Sequence, residues 1–445
     1  MFDFIARNKV LLLLFAIWYA VGSLSPLAFY GLGFISIILL WRRGLFFEIF
    51  LGFIFIVLLS DNLRYTTDFA KSFKNVYIVM LSAVAILERR RFGLDLEILK
   101  YFIPFLLLAV VSMANSPQMF TSFQKTLSYS LILFAAPQFL IYSFKDRGPI
   151  ILKDIIYLGI FMILIGFIIR FIDPGWVISH GGRFRGLFGN PNGIGIFIIL
   201  LFALTLIGRD YFRALFSKSD LRWILITLIV ALVLSGSRSA LIAVVLFYLF
   251  SRFYKFSPFL GFILFIAVSI GAEILSQNLV PIVQGLGLSD YFRVETLEDA
   301  SGRYIAWEFA WDAIQDNFWL GRGFSFDEWL MTKNQDFLNE MGHQGGVHNT
   351  YLIIWLNTGI IGLLLFLRAY LLLAIKGAKN SALSFPLFWM VLFSIMLEPW
   401  LAASLNPFTV LFLIGLVILT NPLFQPYHKG EMKSDEIINE ETVLA

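Results

Sequence analysis

Residues 343–362, HQGGVHNTYLIIWLNTGIIG, decide how this chain is organised, because a polar loop passes here directly into a long apolar helix. The stretch places His348 where water meets lipid. His348 and Asn349 stand nine residues before Gly359, and Gly362 follows after two more. Because an imidazole exchanges protons near neutral pH, the stretch indicates chemistry performed on something held in a bilayer.

The composition defines the class of protein around this stretch. About 59% of the 445 residues are apolar and 14% are charged, and hydrophobic runs recur along nearly the whole chain, as in a polytopic membrane protein. The chain has no cysteine, which excludes disulfides and thiolate metal sites. The start, MFDFIARNK before VLLLLFAIWYAV, has no small-residue cleavage site, so we expect an uncleaved first span.

Apolar windows predict an all-α membrane domain over residues 1–424 with about 12–14 transmembrane helices. The windows lie near residues 9–23, 26–41, 44–60, 76–88, 101–115, 127–143, 151–172, 193–208, 223–235, 239–251, 257–275, 350–373, 383–398 and 406–421. Alternate loops carry the lysines and arginines, at 42–43, 88–91, 145–153, 209–222, 252–255 and 376–379. The positive-inside rule places these loops and both termini in the cytoplasm.

The longest of the outward loops, 276–349, is predicted to fold as a functional insertion. Within it, SGRYIAWEFAWDAIQDNFWLGRGF repeats apolar residues at three and four positions, as in an amphipathic helix ended by Gly321 and Gly323. Trp307, Trp311 and Trp319 suit a helix at the outer membrane interface. The polar segment 425–445 is predicted to be a disordered cytoplasmic tail.

Four arginine-bearing blocks in outward loops run against the positive-inside trend. Arg183 and Arg185 precede the glycine-rich turn GNPNG, which holds Asn192 and resembles a phosphate-binding turn in its physics; a tight turn with interfacial arginines is the alternative. Arg238, in SGSRS, is predicted to bind an anion or to reach the interface as a snorkelling side chain. Taken singly, Arg303 and Arg322 would each be interpreted as a helix cap or a surface charge. Together the blocks predict an outward cationic site.

The alternative to a catalytic role for His348 is a purely structural role at the start of a helix. The other histidines are His180, His343 and His428, and no pair has the i, i+4 spacing of a helix-borne metal site, so we predict no metal. The chain has no nucleophile elbow, P-loop or dinucleotide fingerprint. These absences exclude the corresponding hydrolase, nucleotidase and dehydrogenase classes, and we expect no cofactor and no nucleic-acid partner.

From Gly181 to Leu367 the chain resembles the O-antigen ligase and polymerase superfamily of bacterial envelope-glycan enzymes. The resemblance is carried by His348-Asn349-x9-Gly359-x2-Gly362, by SGSRSAL at 235–241, by RFRGLFGNPN at 183–192, and by SGR at 301–303 with LGRG at 320–323. The four blocks stand in the family's order.

The resemblance implies transfer of a glycan from an undecaprenyl-diphosphate carrier to an acceptor hydroxyl, on the outer face of the bacterial inner membrane. Arg238, Arg303 and Arg183 or Arg185 would hold the diphosphate, and His348 would act at the acceptor as general base or orienting partner. Arg322, Asn192 and Asn349 are further candidate substrate-binding residues. No metal or cofactor would be needed.

Several functions remain open at this point. The acceptor is the lipid A core for a ligase, which the histidine motif favours, and the growing glycan for a polymerase; protein O-oligosaccharyltransferases share the motifs. A secondary transporter is the alternative of another class, since Glu48, Glu273 and Glu398 are charges within apolar regions. The sequence shows no pseudo-symmetric halves, however, and its polar residues concentrate at one face.

Overall fold

A computed structural model describes residues 1–424, apart from 180, 255–256, 258, 269, 272–284, 286–299 and 344. The protein is an all-α polytopic membrane protein, as predicted. Among the described residues, strand-like pairing is confined to one antiparallel bridge between Ile178 and Phe184. The predicted tail 425–445 and most of 276–299 lie outside the described residues.

The helices before the large loop follow one another with short connections. They are α1 (Phe2–Leu24), α2 (Pro26–Arg42), α3 (Phe46–Ser60), α4 (Asp68–Leu87), α5 (Arg89–Phe92), α6 (Glu97–Ser112), α7 (Met119–Arg147), α8 (Ile150–Ile172), α9 (Pro174–Val177), α10 (Pro191–Tyr211), α11 (Lys218–Ser235), α12 (Arg238–Phe253) and α13 (Phe259–Val268). The loop and the C-terminal part contain α14 (Ala300–Asp316), α15 (Phe326–Lys333), α16 (Gln335–Glu340), α17 (Thr350–Ala378), α18 (Ser384–Leu397) and α19 (Pro407–Thr420).

In the described part of the chain a helix overlaps each of the fourteen apolar windows, but the helices differ in length, and window 257–275 extends beyond α13 into residues outside the description. Seven of the described helices are long and apolar enough to cross a bilayer, namely those within Phe2–Leu24, Tyr65–Leu87, Glu97–Asn115, Met119–Arg147, Ile150–Ile172, Pro191–Tyr211 and Thr350–Ala378. Five shorter apolar helices accompany them: α2, α3, α13, α18 and α19. The remaining two windows lie on α11 and α12.

The bundle is organised around α10, which is the most deeply buried of the long helices. It packs against α8, α11, α12 and α19. On the far side, α17 packs against α6, α18 and α19, and α18 also covers α12. The N-terminus of α10 and the ends of α11, α17 and α18 therefore approach one another at one end of the bundle.

The opposite end of the bundle collects the basic loops. Arg147 pairs with Glu48 at 2.8 Å, and Lys153 pairs with Asp220 at 2.9 Å. The first helix joins them, since Arg7 binds Asp154 at 2.6 Å, and Phe144 packs on Phe424. The N-terminus and residue 424 thus lie at the same end, together with the lysines and arginines that the positive-inside rule assigns to the cytoplasm.

The predicted amphipathic helix of the large loop is present as α14. Ala306, Ala310 and Ile314 recur every four residues on its buried face and form a second apolar cluster with α15, α16 and the start of α17. The three tryptophans behave differently from one another. Trp307 donates a hydrogen bond to the Val347 carbonyl at 2.9 Å, whereas Trp311 and Trp319 are exposed.

The large loop is fixed to the bundle at a kink in α17, where Gly359 has φ 69° and ψ 177°. The kink frees backbone groups of α17, and the turn at 318–323 satisfies them. The Ile360 amide donates to the Phe318 carbonyl at 2.8 Å, and the Gly323 amide donates to the Asn357 carbonyl at 2.7 Å. The two loop glycines, Gly321 and Gly323, both have positive φ. Gly359 of the histidine motif therefore has a structural reason, which is the docking of loop backbone on helix backbone.

Replacing Gly359 with alanine is expected to undock the turn at 318–323 for two reasons. The new Cβ would overlap the Trp319 carbonyl, and the alanine would have to adopt an unfavourable positive φ. Positive φ alone costs an L residue on the order of 1–3 kcal/mol. Thermal unfolding in detergent should show a clearly lower Tm. Gly31→Ala is the matched control, since Gly31 lies in α2 with no neighbour within 4 Å of an added Cβ. Equal Tm values in the two variants would contradict the docking role.

Candidate functional site

A buried carboxylate, Glu398, joins the segments that meet at the α10–α17 end of the bundle. Glu398 follows directly after α18 and is 5% exposed. One of its oxygens, Oε1, accepts a hydrogen bond from Asn192 at 2.7 Å and an ion-paired hydrogen bond from Arg303 at 3.1 Å. Burial raises the pKa of Glu398 above its ordinary value, and Arg303, Asn192 and Arg183 oppose that rise. The carboxylate thus links the α10 turn to the large loop.

Asn192 and Arg183 form the second part of this network. The Asn192 side-chain oxygen accepts from Arg183 Nη2 at 2.9 Å, while Arg183 Nε donates to the Ser235 carbonyl at 2.8 Å. Local sequence fixes Asn192 in place, because Asn190 caps α10 through the Gly193 amide and Pro191 starts the helix. Arg183, Asn192, Glu398 and Arg303 therefore form one continuous chain of polar contacts.

The start of α17 is tied to the same carboxylate residue through its backbone. Thr350 Oγ1 donates to the Glu398 carbonyl at 3.0 Å. Asn349 is the N-cap of α17, and its side-chain oxygen accepts from the amides of Tyr351 and Leu352 at 2.9 and 3.2 Å. Asn349, which is a predicted substrate-binding residue, therefore caps the N-terminus of α17 in the structure.

His348 lies immediately before this cap, in a left-handed backbone conformation with φ 53°. Its Nδ1 is buried and has no hydrogen-bond partner among the described residues. The buried His343 packs edge-on against it, with ring centroids 6.2 Å apart. The imidazole is therefore held by backbone geometry and ring packing, and its polar edge is available.

The electrostatic surroundings keep His348 neutral. Burial lowers its pKa to about 4, and the nearby charge of Arg303 and the ring of His343 act in the same direction. A neutral imidazole offers one nitrogen that accepts a hydrogen bond or a proton.

Arg238 begins α12 directly after the buried Ser237, and its side chain is exposed. Its neighbour Gly236 lies against the Arg183 side chain, with an added Cβ 3.4 Å from Arg183 Nε. The SGSRS turn is therefore adjacent to Arg183.

Two of the predicted cations, Arg185 and Arg322, make their contacts elsewhere, as does Lys74. Arg185 donates to the carbonyls of Gly175 and Trp176 at 3.5 and 3.3 Å. Arg322 stacks on the Phe326 ring with its guanidinium carbon 5.2 Å from the centroid. Lys74 donates to the Leu405 carbonyl at 2.9 Å. Each makes its described contacts outside the Glu398 network, although the sequence analysis grouped Arg185 and Arg322 with Arg183.

Glu398 is the site residue whose role the sequence analysis missed, because there it counted only as a charge within an apolar region. The sequence feature that could have identified Glu398 is its position at the end of an apolar span that leads into a predicted outward loop. In the described part of the chain, no three His, Asp or Glu side chains gather as a metal site would require.

The fold and the site define a polytopic helical membrane protein with arginines, one buried carboxylate and a neutral histidine at one end of its bundle. Residues 223–367, about a third of the chain, match the family model described as O-antigen ligase, which supports the resemblance to the O-antigen ligase and polymerase superfamily. None of the curated proteins matches the chain.

The family carries out glycan transfer of the O-antigen ligase kind, with a lipid-linked glycan donor and a glycan acceptor in a membrane. The matched segment contains Arg238, Arg303, Arg322, His348 and Asn349. Arg183, Arg185 and Asn192 precede it, and Glu398 follows it. The structure thus connects the family segment to residues on both sides of it.

Proposed function

We propose that this chain transfers a glycan from an undecaprenyl-diphosphate carrier to an acceptor hydroxyl at the outer face of the inner membrane. The observation that carries the proposal is the network that joins Arg183, Asn192, Glu398 and Arg303 beside a neutral His348. The basic loops lie at the opposite end of the bundle, which supports an outward-facing site with both termini in the cytoplasm.

The arginines act on the leaving group in this mechanism. When the bond between the anomeric carbon and the diphosphate oxygen breaks, negative charge grows on the diphosphate, and guanidinium groups stabilise that charge. Arg303 and Arg238 are the candidate catalytic residues here, with Arg183 as a further ligand. Glu398 is a positioning residue, because it holds Arg303 through an ion pair and aligns Arg183 through Asn192.

His348 acts on the acceptor. Its neutral imidazole accepts a hydrogen bond from the acceptor hydroxyl and takes the proton as the oxygen bonds to the anomeric carbon. The diphosphate leaves with the electron pair of the broken bond, so charge balances without a metal or nucleotide. A bound diphosphate beside Arg303 would offset the positive charge that lowers the pKa of His348, which makes the imidazole more basic when the donor is present.

We propose O-antigen ligase, with the lipid A core as acceptor, as the particular activity. The basis is the histidine motif, which runs from His348 into the first half of α17. Polymerase activity is the second candidate, because the growing carrier-linked glycan presents the same two groups, a hydroxyl and a diphosphate. Protein O-oligosaccharyltransferase activity would use a side-chain hydroxyl instead.

A reconstituted transfer assay with the purified full chain tests this proposal. Undecaprenyl-diphosphate-linked glycan is offered with lipid A core, with carrier-linked glycan alone, or with a serine-containing peptide. A single transfer to lipid A core is the expected result. A ladder of carrier-linked products would replace ligase with polymerase, and labelled peptide would indicate the protein-modifying activity. Solute flux in proteoliposomes without any transfer would overturn the enzyme proposal and revive the transporter.

A further inference from the structure

Arg64 and Arg185 converge on one carbonyl oxygen away from the Glu398 network. Arg64 Nη2 donates to the Gly175 carbonyl, and Arg185 Nη2 lies 3.5 Å from the same oxygen. Arg185 also donates to the Trp176 carbonyl at 3.3 Å. Two guanidinium groups from distant parts of the sequence are therefore held side by side at the short helix α9.

The described residues include no carboxylate that is ion-paired with these two like charges. Among the described residues neither arginine forms an ion pair with a carboxylate, and the adjacent Asp173 is exposed and makes no ion pair with either. Arg64 Nε is buried and lacks a hydrogen-bond partner within the same part of the chain. Burial and the neighbouring Arg64 both lower the pKa of Arg185 below its ordinary value. Such a pair favours an anion that would accept from both guanidiniums.

The surroundings indicate a ligand held at the membrane surface. Leu63 and Tyr65 flank Arg64 and are 68% and 82% exposed. Phe171 and Ile172, at the end of α8, are 86% and 77% exposed. Exposed apolar side chains at the end of a membrane-spanning helix suit contact with acyl chains, while the guanidiniums match phosphate geometry.

We infer that Arg64 and Arg185 form a second phosphate-binding site, which takes the phosphate group of a membrane lipid. The site is separate from the Arg183–Glu398–Arg303 network in its hydrogen bonding, because Arg185 bonds to Gly175 and Trp176 while Arg183 bonds to Ser235 and Asn192. The inference goes beyond the transfer reaction and does not depend on it, since the site requires neither the glycan donor nor His348.

Binding to the full chain in detergent tests the inference. Dioctanoyl phosphatidic acid, inorganic phosphate and dioctanoyl phosphatidylcholine are added separately, and the rise in Tm is measured as a function of concentration. Phosphatidic acid is expected to stabilise the protein at lower concentration than inorganic phosphate. Equal effects of phosphatidic acid and inorganic phosphate would show that free phosphate suffices and would overturn the assignment to a lipid.

Variants decide whether these two arginines form the site. Arg64→Gln with Arg185→Gln should weaken phosphatidic acid binding on the order of tenfold or more. Arg43→Gln with Arg213→Gln is the matched control, since it removes two exposed arginines from the basic end of the bundle. Unchanged phosphatidic acid binding in the Arg64→Gln/Arg185→Gln variant, or an equal loss of binding in this variant and in the control, would overturn the inference. If the double variant does not fold, Arg185→Gln alone is measured against Arg213→Gln, with the same two criteria.

Discussion

Glycan transfer by a His348→Ala variant is expected to fall by about 100- to 10,000-fold, the usual contribution of general acid–base catalysis. The protein should remain folded, because the described structure gives the His348 imidazole no hydrogen bond that holds the fold. Initial rates of transfer, with Tm measured on the same preparation, test both statements. Wild-type rates in the folded variant would remove His348 from the mechanism.

His348→Asn is the matched control for the backbone. His348 has φ 53°, and asparagine adopts this left-handed conformation far more readily than alanine. Asparagine can still hydrogen-bond the acceptor hydroxyl but cannot take its proton. We therefore expect a large loss of transfer in both variants, with the smaller loss in His348→Asn. Full activity in His348→Asn would reduce the role of the histidine to orientation.

The pH profile gives a second, independent measure of the same role. The pKa of His348 is lowered to about 4 from an ordinary value of 6.5. The kcat/KM for transfer, which reports groups of the free enzyme, should therefore decline only as the pH approaches 4. Arg303→Gln removes a cause of that lowering, so the inflection should move upward. Stability follows the same shift: between these two values the unfolded chain binds the proton and the folded chain does not, so the free energy of unfolding falls as the pH is lowered.

Replacing Arg303 with glutamine is the second change with a large expected effect. It removes a cation from the leaving diphosphate, and the loss of one preorganised donor of this kind typically lowers the rate by about 100- to 1,000-fold. It also leaves the buried Glu398 without its ion-pair partner, which should lower the Tm. Transfer rate and thermal unfolding report these two consequences separately.

The Glu398→Gln variant separates the catalytic role of Arg303 from its structural one. Glutamine has nearly the same shape and removes the buried charge, so Arg303→Gln/Glu398→Gln should recover Tm relative to Arg303→Gln. Transfer should stay low in the double variant, since the diphosphate still lacks its guanidinium. Recovery of transfer together with Tm would show that Arg303 serves only to satisfy Glu398, and the proposed role would be wrong.

The fold was largely predictable because hydropathy reports helices in a bilayer directly. A described helix overlaps each of the fourteen windows, and the amphipathic segment of the large loop contains α14, which ends at Asp316 rather than at Gly321. Periodicity did not reveal the kink at Gly359, because backbone dihedral angles leave no mark on hydropathy. The histidine motif does include Gly359. It gives no sign of the turn at 318–323 that docks on this glycine, because that turn lies some forty residues earlier in the sequence.

The charged residues of the candidate site could be predicted from the sequence, whereas the contacts between them could not. Arginines in outward loops were recognisable from the positive-inside rule, and they supplied Arg183, Arg238 and Arg303. Their grouping depends on tertiary packing, so Arg185 and Arg322 were placed with Arg183 although they contact Trp176 and Phe326 instead. Asn349 was predicted as a substrate-binding residue and is the N-cap of α17; the two roles have the same sequence signature, and the binding role stays a prediction.

The position of Glu398 in the chain gives the site an order of assembly. Arg183, Asn192 and Arg303 are synthesised and inserted before α18, and Glu398 emerges after it. A nascent chain that has not yet released residue 398 contains the arginines of the network without the carboxylate that arranges them. The network of Arg183, Asn192 and Arg303 with Glu398 can therefore form only after residue 398 has been synthesised, when the carboxylate joins the cations that precede it.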